Sequence, residues 1–304
     1  MYGTKRNGGD LKFFFASVLT KEIGTESMET RQTSSEVIEP IQIKEEKVFA
    51  ILKQIRVDKS PGPDRVFPRT LKETSVEIAG SLADIFKMSV STGEVPEDWR
   101  IIRVVPLFKK GSKSNPGNYR PVSLTLLVGK FLEGVLRDRI YKYLDRHGLI
   151  RESQHGFVRG RSCLTNLLEF FEEVTRKVDE GKAVDVVYMD FSKAFYQVPH
   201  GKLIRKIQLL GIHGKVVNWI RHWLNGRSQR VVVEDCYSEW RPVTGGVPQG
   251  SVLGPLLFVI SINDLGDNVV NWISKFADDT KIGDVVDSEE GFQSLQRDLD
   301  QLEE

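Results

Sequence analysis

Eleven residues, Val252–Ile262, run almost without a polar side chain behind the turn-forming stretch Gly245–Gly250. A segment apolar on all sides cannot be a surface helix, and crossing a bilayer takes about 20 residues, so this one is too short. It is expected as a helix buried under a sheet, which the rest of the chain must supply. The other long apolar run, Leu11–Leu19, is also too short to span a membrane, and no clean cleavage site follows it as in a signal peptide. With 304 residues, 40% of them hydrophobic, the chain can bury one large or two modest domains, and disorder throughout is excluded. Cys163 and Cys236 can neither build a disulfide framework nor fill a four-cysteine zinc site, so a reducing, intracellular setting is expected.

Local patterns divide the chain. Thr25–Glu39 is rich in Ser, Thr and Glu and reads as a linker. The run Lys59-Ser60-Pro61-Gly62-Pro63-Asp64 can be neither helix nor central strand, because each proline lacks a donor and restricts its predecessor. Ile78, Leu82, Ile85, Phe86 and Val90 recur at helical spacing up to Gly93 and Pro96, and Ile101–Leu107 then reads as a strand. Phe131 to Leu144 gives a second amphipathic helix, and Ser162 is placed to cap a third that bears Leu164, Leu167, Leu168 and Phe171. The β-branched run Ala183–Met189 reads as a buried strand ending on Asp190. Two helices are predicted over Lys202–Leu210 and Lys215–Leu224, and a hairpin over Gln229–Val233 and Glu239–Val243. A second hairpin, Val270–Phe276 with Lys281–Val286, carries Asp278 and Asp279 in its turn.

The net charge of +1 conceals a strong separation. Ile101–Cys163 holds thirteen Lys and Arg against four acids, whereas Asp264–Glu304 holds twelve acids against three bases. A basic region neutralises phosphates and an acidic one holds divalent cations, and a reaction on polyphosphates needs both. Solvated faces of opposite sign give the same count, so charge alone does not assign a function.

Adjacent aspartates at a hairpin tip point in different directions, which lets one of them meet a carboxylate from a neighbouring strand end. Asp190 is available for that place. Three carboxylates held close would raise one another's pKa unless a divalent cation neutralised them, and oxygen-only ligands suit Mg²⁺. Two such ions roughly 3.5 to 4 Å apart can activate a 3′-hydroxyl and stabilise a leaving pyrophosphate. An Asp-Asp turn is also ordinary surface chemistry. His155, His200 and His213 have no Cys or second His at ligand spacing and read as packing or hydrogen-bonding residues.

Phe276-Ala277-Asp278-Asp279 resembles the Tyr/Phe-x-Asp-Asp box of reverse transcriptases, and Met189-Asp190-Phe191-Ser192-Lys193-Ala194-Phe195 resembles their preceding palm motif. Between them, Gly246-Val247-Pro248-Gln249-Gly250-Ser251 is similar to the Pro-Gln-Gly box. Asn118-Tyr119-Arg120-Pro121, Gln154-His155-Gly156-Phe157 and Lys59–Asp64 resemble fingers motifs of non-LTR retrotransposons, most closely the chicken-repeat and jockey groups. The resemblance implies an α+β, right-hand polymerase fold, with an N-terminal extension over 1–45, fingers over 46–165 and an incomplete palm over 166–304 that stops before the thumb. It implies RNA-directed DNA synthesis with two Mg²⁺ ions, or Mn²⁺ in their place, on an RNA template, a DNA primer and dNTPs. Neither a membrane nor a specific protein partner is expected, and the nucleus is the expected place of synthesis primed at a target, with the cytoplasm otherwise.

The same resemblance assigns roles. Asp190 and Asp278 would be the main metal ligands and Asp279 the third acid, with the carbonyl of Phe191 completing one ion's shell. Phe195 would lie under the nucleotide sugar as a steric gate, Gln249 would sit near its 3′-hydroxyl, and Arg120 would reach its triphosphate, with Lys109 and Lys110 as further phosphate or template contacts. Where the family carries Asp after Ala-Phe, this chain has Tyr196, which is expected to loosen the loop that carries Asp190 or to remove an internal ion pair. The sequence reaches Glu304 soon after the Asp-Asp hairpin and shows neither the family's endonuclease nor a cysteine/histidine module, so a fragment of a longer reading frame is expected. The alternatives are a catalytically inactive, truncated remnant that binds nucleic acid, and an unrelated two-metal nuclease.

Overall fold

A computed structural model describes residues 14–15, 38–234 and 236–303. Of the Leu11–Leu19 run only Phe14 and Phe15 lie among them, and the Thr25–Glu39 stretch lies outside them up to residue 37. In chain order the elements are α1 (Glu45–Lys53), α2 (Pro68–Glu73), α3 (Ser75–Thr92), β1 (Ile101–Phe108), β2 (Tyr119–Leu124), α4 (Leu127–Arg146) and α5 (Cys163–Asp179). There follow β3 (Val184–Asp190), α6 (Ala194–Gln197), α7 (His200–Leu209), α8 (Gly214–Leu224), β4 (Ser228–Val233), β5 (Cys236–Tyr237) and β6 (Arg241–Pro242). The chain then forms α9 (Gly254–Ser261), β7 (Trp272–Phe276), β8 (Asp279–Val285) and α10 (Glu289–Glu303). Helices and mostly antiparallel strands bear out the α+β class, and among the described residues no helix is long and apolar enough to cross a membrane.

The chain divides into two compact units, Met1–His147 with Phe195–Leu257, and Gly148–Ala194 with Phe258–Glu304. The first unit holds a five-stranded sheet in the order β2-β1-β4-β5, with β6 also on β4. β1 and β2 are antiparallel, and β4 runs parallel to β1, pairing Arg103 with Arg230. The predicted second hairpin partner of β4 is split into the short pieces β5 and β6. Alternation along β1 buries Ile102 and Val104 on one face, where they pack with Phe15 and Val231. Aromatic side chains fill this unit: Phe86 of α3 is edge-on to Trp99, Trp219 and Trp223 of α8 stack on each other, and Trp219 Nε1 joins α8 to α3 by donating to Ser89 Oγ at 2.9 Å. Each large side chain buried this way contributes about 1.5–3 kcal/mol.

The second unit is a three-stranded antiparallel sheet in the order β3-β8-β7. On one face Val187, Met189 and Ile282 pack against Leu295 and Leu302 of α10. α5 lies against β3 and β7, and Phe170 approaches Tyr188 and Trp272. The predicted cap is present: Ser162 Oγ accepts from Thr165 N at 3.3 Å and Thr165 Oγ1 accepts from Ser162 N at 2.8 Å. One expectation needs correction. β3 is an edge strand with Asp185, Tyr188 and Asp190 exposed, because among the described residues it pairs with β8 alone, and β-branched content favours a strand without saying where in a sheet it lies. Leu164, Leu167, Leu168 and Phe171 of α5 are exposed, since the side of the helix that bears Asn166, Phe170 and Lys177 is the one that contacts the sheet.

Candidate active site

The register of the second sheet decides where the acids fall. Met189 pairs with Thr280 and Asp190 with Asp279, while Phe276 of β7 also pairs with Asp279. The turn is therefore the two residues Ala277 and Asp278, and only one of the two adjacent acids lies in it; Asp279 is the first residue of β8. Residues directly opposite on antiparallel strands share a face with Cβ atoms about 4.5–5.5 Å apart, so the Asp190 and Asp279 carboxylates emerge side by side. Both are exposed and Asp278 is half-buried. Like charges in this relation are destabilising. Two residues along the same face, Lys281 donates to Asn166 Oδ1 at 2.8 Å and lies 4.8 Å from the Phe170 ring centroid. Burial lowers the pKa of its amine, against the opposing pull of the Asp279 and Glu169 charges.

The turn is unusual because Ala277 has φ +57°, a conformation that costs a residue with a Cβ about 1–2 kcal/mol. A neighbouring loop holds it. Gln154 Oε1 accepts from Ala277 N and from Gly156 N, each at 2.8 Å, and Gln154 Nε2 donates to Ala277 O at 3.3 Å. The backbone adds His155 N to Lys275 O at 2.8 Å and Lys275 N to Ser153 O at 2.7 Å. Gly156 has no room for a side chain, since a Cβ there would stand 2.2 Å from Ala277 N. His155 is buried, bonded to Thr165 Oγ1 at 2.9 Å and to Glu169, as expected of a hydrogen-bonding histidine. Sequence reasoning noted Gln154 and Gly156 only within a motif and missed that they brace the aspartate turn; no local pattern announces a contact between residues 123 positions apart.

The residues assigned to the nucleotide lie in the first unit. Its backbone links three motifs: Val247 N donates to Phe195 O at 2.7 Å, Gly246 N to Val198 O at 2.8 Å, and Ser123 N to Gln249 O at 2.7 Å. Gly246, at φ +78°, sits so close to Tyr196 that a Cβ would be 2.8 Å from its Cα. Phe195 and Gln249 are half-buried, and Arg120 is exposed on β2, opposite Leu107. Tyr196 is buried, its hydroxyl donating to Pro121 O at 3.4 Å, and burial pushes its phenol pKa well above the usual value. Tyr196 is thus packed, and the segment from Phe195 to Val198 is fastened through its backbone.

Beneath this loop is a buried charge that sequence reasoning did not single out. Glu133 of α4 accepts from Val252 N at 2.7 Å, Leu253 N at 3.2 Å and Trp223 Nε1 at 3.2 Å, and so secures the chain entering α9. Burial lowers the pKa of Arg227 to about 10, with the Glu133 charge opposing the shift and Arg100 adding to it. Arg227 donates to Trp223 O at 2.9 Å and covers the Trp223 ring at 4.3 Å. The residues of α9 from Leu256 to Ile260 are all buried, as the apolar run predicts.

Among the described residues no group of three or more His, Cys, Asp or Glu side chains is gathered as a metal centre. The acids nonetheless fit a hard cation. Asp190 and Asp279 form a like-charged, oxygen-only pair with Asp278 one residue away, and Mg²⁺ takes one or two carboxylates and fills its shell with water and phosphate oxygens.

Residues 108–304 match the family described as reverse transcriptase (RNA-dependent DNA polymerase). The chain is 30% identical over 254 residues to the probable RNA-directed DNA polymerase from transposon BS of Drosophila melanogaster, covering 83% of this chain and 28% of that protein. It is 26% identical over 246 residues to the RNA-directed DNA polymerase from mobile element jockey of the same fly, covering 78% of this chain and 27% of that protein. It is also 26% identical over 208 residues to a retrovirus-related Pol polyprotein from a type-1 retrotransposable element R2 of Popillia japonica, covering 68% and 28%. The chain therefore spans less than a third of the length of these relatives.

Proposed function

We propose that this chain, which belongs to the reverse transcriptase (RNA-dependent DNA polymerase) family, is the part of a non-LTR retrotransposon polymerase that adds dNTPs to a primer 3′-hydroxyl on an RNA template. The observation that carries the reading is the register pairing Asp190 with Asp279 beside the Asp278 turn. In the reaction the 3′-oxygen bonds to the α-phosphorus, the bond to pyrophosphate breaks, and the hydroxyl proton is lost to solvent.

Asp190, Asp278 and Asp279 would hold two Mg²⁺ ions, with the Phe191 carbonyl as a further oxygen ligand. When bound, the ions lower the pKa of the hydroxyl and stabilise charge on the leaving phosphates. Gln154 and Gly156 fix the backbone beneath the acids, so little reorganisation is needed when charge develops. Arg120 carries a fixed positive charge suited to a triphosphate. The ring of Phe195 would fill the space of a 2′-hydroxyl and favour dNTP, and Gln249 would orient the sugar near its 3′ side. The basic residues of Ile101–Cys163, Lys109 and Lys110 among them, suit the template backbone.

Primer extension on an RNA template tests the reading, with Mg²⁺ required and Asp190→Asn or Asp278→Asn abolishing incorporation. Extension that survives both substitutions contradicts it. A second reading, a remnant that binds nucleic acid without chemistry, draws support from Tyr196 standing where the family carries Asp; salt-sensitive binding with no incorporation under any condition would select it.

A further inference from the structure

The face of the second sheet that carries the acids also carries a cation. On β8, Lys281 lies two residues, or about 7 Å, from Asp279; it pairs with Tyr188 as Asp279 pairs with Asp190. Its Cβ is about 7–8 Å from that of Asp190 on the diagonal, one step along the ladder from the like-charged pair. The direction of the side chain is set by α5. Asn166 is buried, its Nδ2 donates to Ser274 Oγ at 2.6 Å, and its Oδ1 accepts from Lys281 Nζ at 2.8 Å. The Phe170 ring centroid lies 4.8 Å from the ammonium. Asp279 and Glu169 are the acids whose charges act on it, and Glu169 is already bonded to His155.

A tether between helix and sheet needs no charge. A neutral donor would serve Asn166 as well, and setting an ammonium against a ring and a buried amide costs hydration. The charge has a use where it stands, because the neighbouring rung pairs two carboxylates. There it acts in two directions: it offsets the repulsion between Asp190 and Asp279 in the metal-free chain, and it repels a divalent cation that comes to the same oxygens.

We propose that Lys281 is a positioning residue for the carboxylate pair, whose fixed ammonium holds Asp190 and Asp279 together without metal and sets their affinity for the metal ion by competing with it. Only the second of these effects rests on the polymerase reading.

The test uses the full chain and two readouts, Mn²⁺ affinity by electron paramagnetic resonance and thermal unfolding in EDTA. Lys281→Gln, which can still donate to Asn166, is expected to bind Mn²⁺ about three- to tenfold more tightly, with the gain shrinking as salt is raised, and Lys281→Arg to stay within about twofold of the unaltered chain. A lysine that only fastened α5 to the sheet would give the opposite sign, since a loosened site binds more weakly. In EDTA, Lys281→Gln is expected to lower the melting temperature by about 1–3 °C, and by half of that or less when both proteins carry Asp279→Asn. Tyr188→Lys, at an exposed position on the same rung, adds a second cation and is expected to weaken Mn²⁺ binding about threefold or more, which decides the matter even where Lys281→Gln fails to fold. Equal or weaker Mn²⁺ affinity in a folded Lys281→Gln variant, no response to Tyr188→Lys, or a melting shift that persists in full beside Asp279→Asn would each overturn the proposal. No Mn²⁺ bound by any of these proteins, with the melting cycle as expected, would count against the polymerase reading and leave Lys281 as the counter-charge of the pair.

Discussion

The Gly246–Gly250 loop and the Ala277–Asp278 turn are both set by a glycine with no space for a side chain, Gly246 against Tyr196 and Gly156 against Ala277. They differ in what else holds them. The first is tied by backbone hydrogen bonds to Phe195, Val198 and Ser123, with the buried Glu133 securing the next residues, Val252 and Leu253. The turn takes two bonds from one side chain, the amide of Gln154, which also accepts from Gly156 N, and exposed carboxylates stand beside it. Backbone fastening tolerates many side chains and a lone amide does not. A loop that places a gate residue and a turn that places metal ligands can therefore be equally fixed and unequally fragile.

Substitutions separate the two, beginning with the largest effect. Exchanging Asp279 for Asn should cut primer extension about a hundredfold or more, because charge stabilisation by a metal amounts to several kcal/mol. A loss below tenfold would show that the exposed pair is not where the ions sit. Glu133→Ala should cost about 1–3 kcal/mol or more in denaturant unfolding, because the buried amides of Val252 and Leu253 and the Trp223 indole lose their acceptor, and Glu133→Gln less. An unaltered unfolding midpoint in the alanine variant would break the claim that the first loop depends on what lies beneath it.

Gln154→Ala should lower stability by about 1–3 kcal/mol, since the amides of Gly156 and Ala277 lose their acceptor. Hydrogen exchange is expected to speed up at those two amides while Val247 and Ser123 stay protected; uniform acceleration would show that the two regions open together. The smallest effect concerns Asp284 on β8, paired with Lys177 of α5. Burial raises the Asp284 pKa, but the hydrogen bonds from Lys177 and from Val285 N outweigh it and leave the net below the ordinary 3.8. The carboxylate thus contributes stability above its unfolded pKa, lost as the pH falls through the lower folded value. Asp284→Asn should cost about 1 kcal/mol or less near pH 7, and the difference should shrink as the pH falls below the ordinary 3.8, read as melting curves that converge in acid.

Much of this architecture was legible from local chemistry. Ser162 marked the start of α5, and Gly93 with Pro96 the end of α3, because caps and breakers act within one turn of chain. Alternation and the flanking apolar runs gave both strands of the aspartate hairpin. The division of its two acids was not legible: whether Asp279 sits in the turn or opens β8 depends on a register shared with β3, 89 positions away in the chain. The outward side of α5 was equally hidden, since Asn166 and Lys177 gain partners on the sheet that a helical periodicity cannot see. Glu133 looked like one acid in a basic helix until Val252, Leu253 and Trp223 came to meet it.

A titration of Mn²⁺ followed by electron paramagnetic resonance, on the full chain and on its Asp190→Asn and Asp279→Asn variants, puts the carboxylate pair to the most direct trial. Saturable binding to the unaltered chain, lost in both variants and retained in Asp284→Asn, is the result the structure calls for. Mn²⁺ affinity that is the same in all four proteins would contradict it.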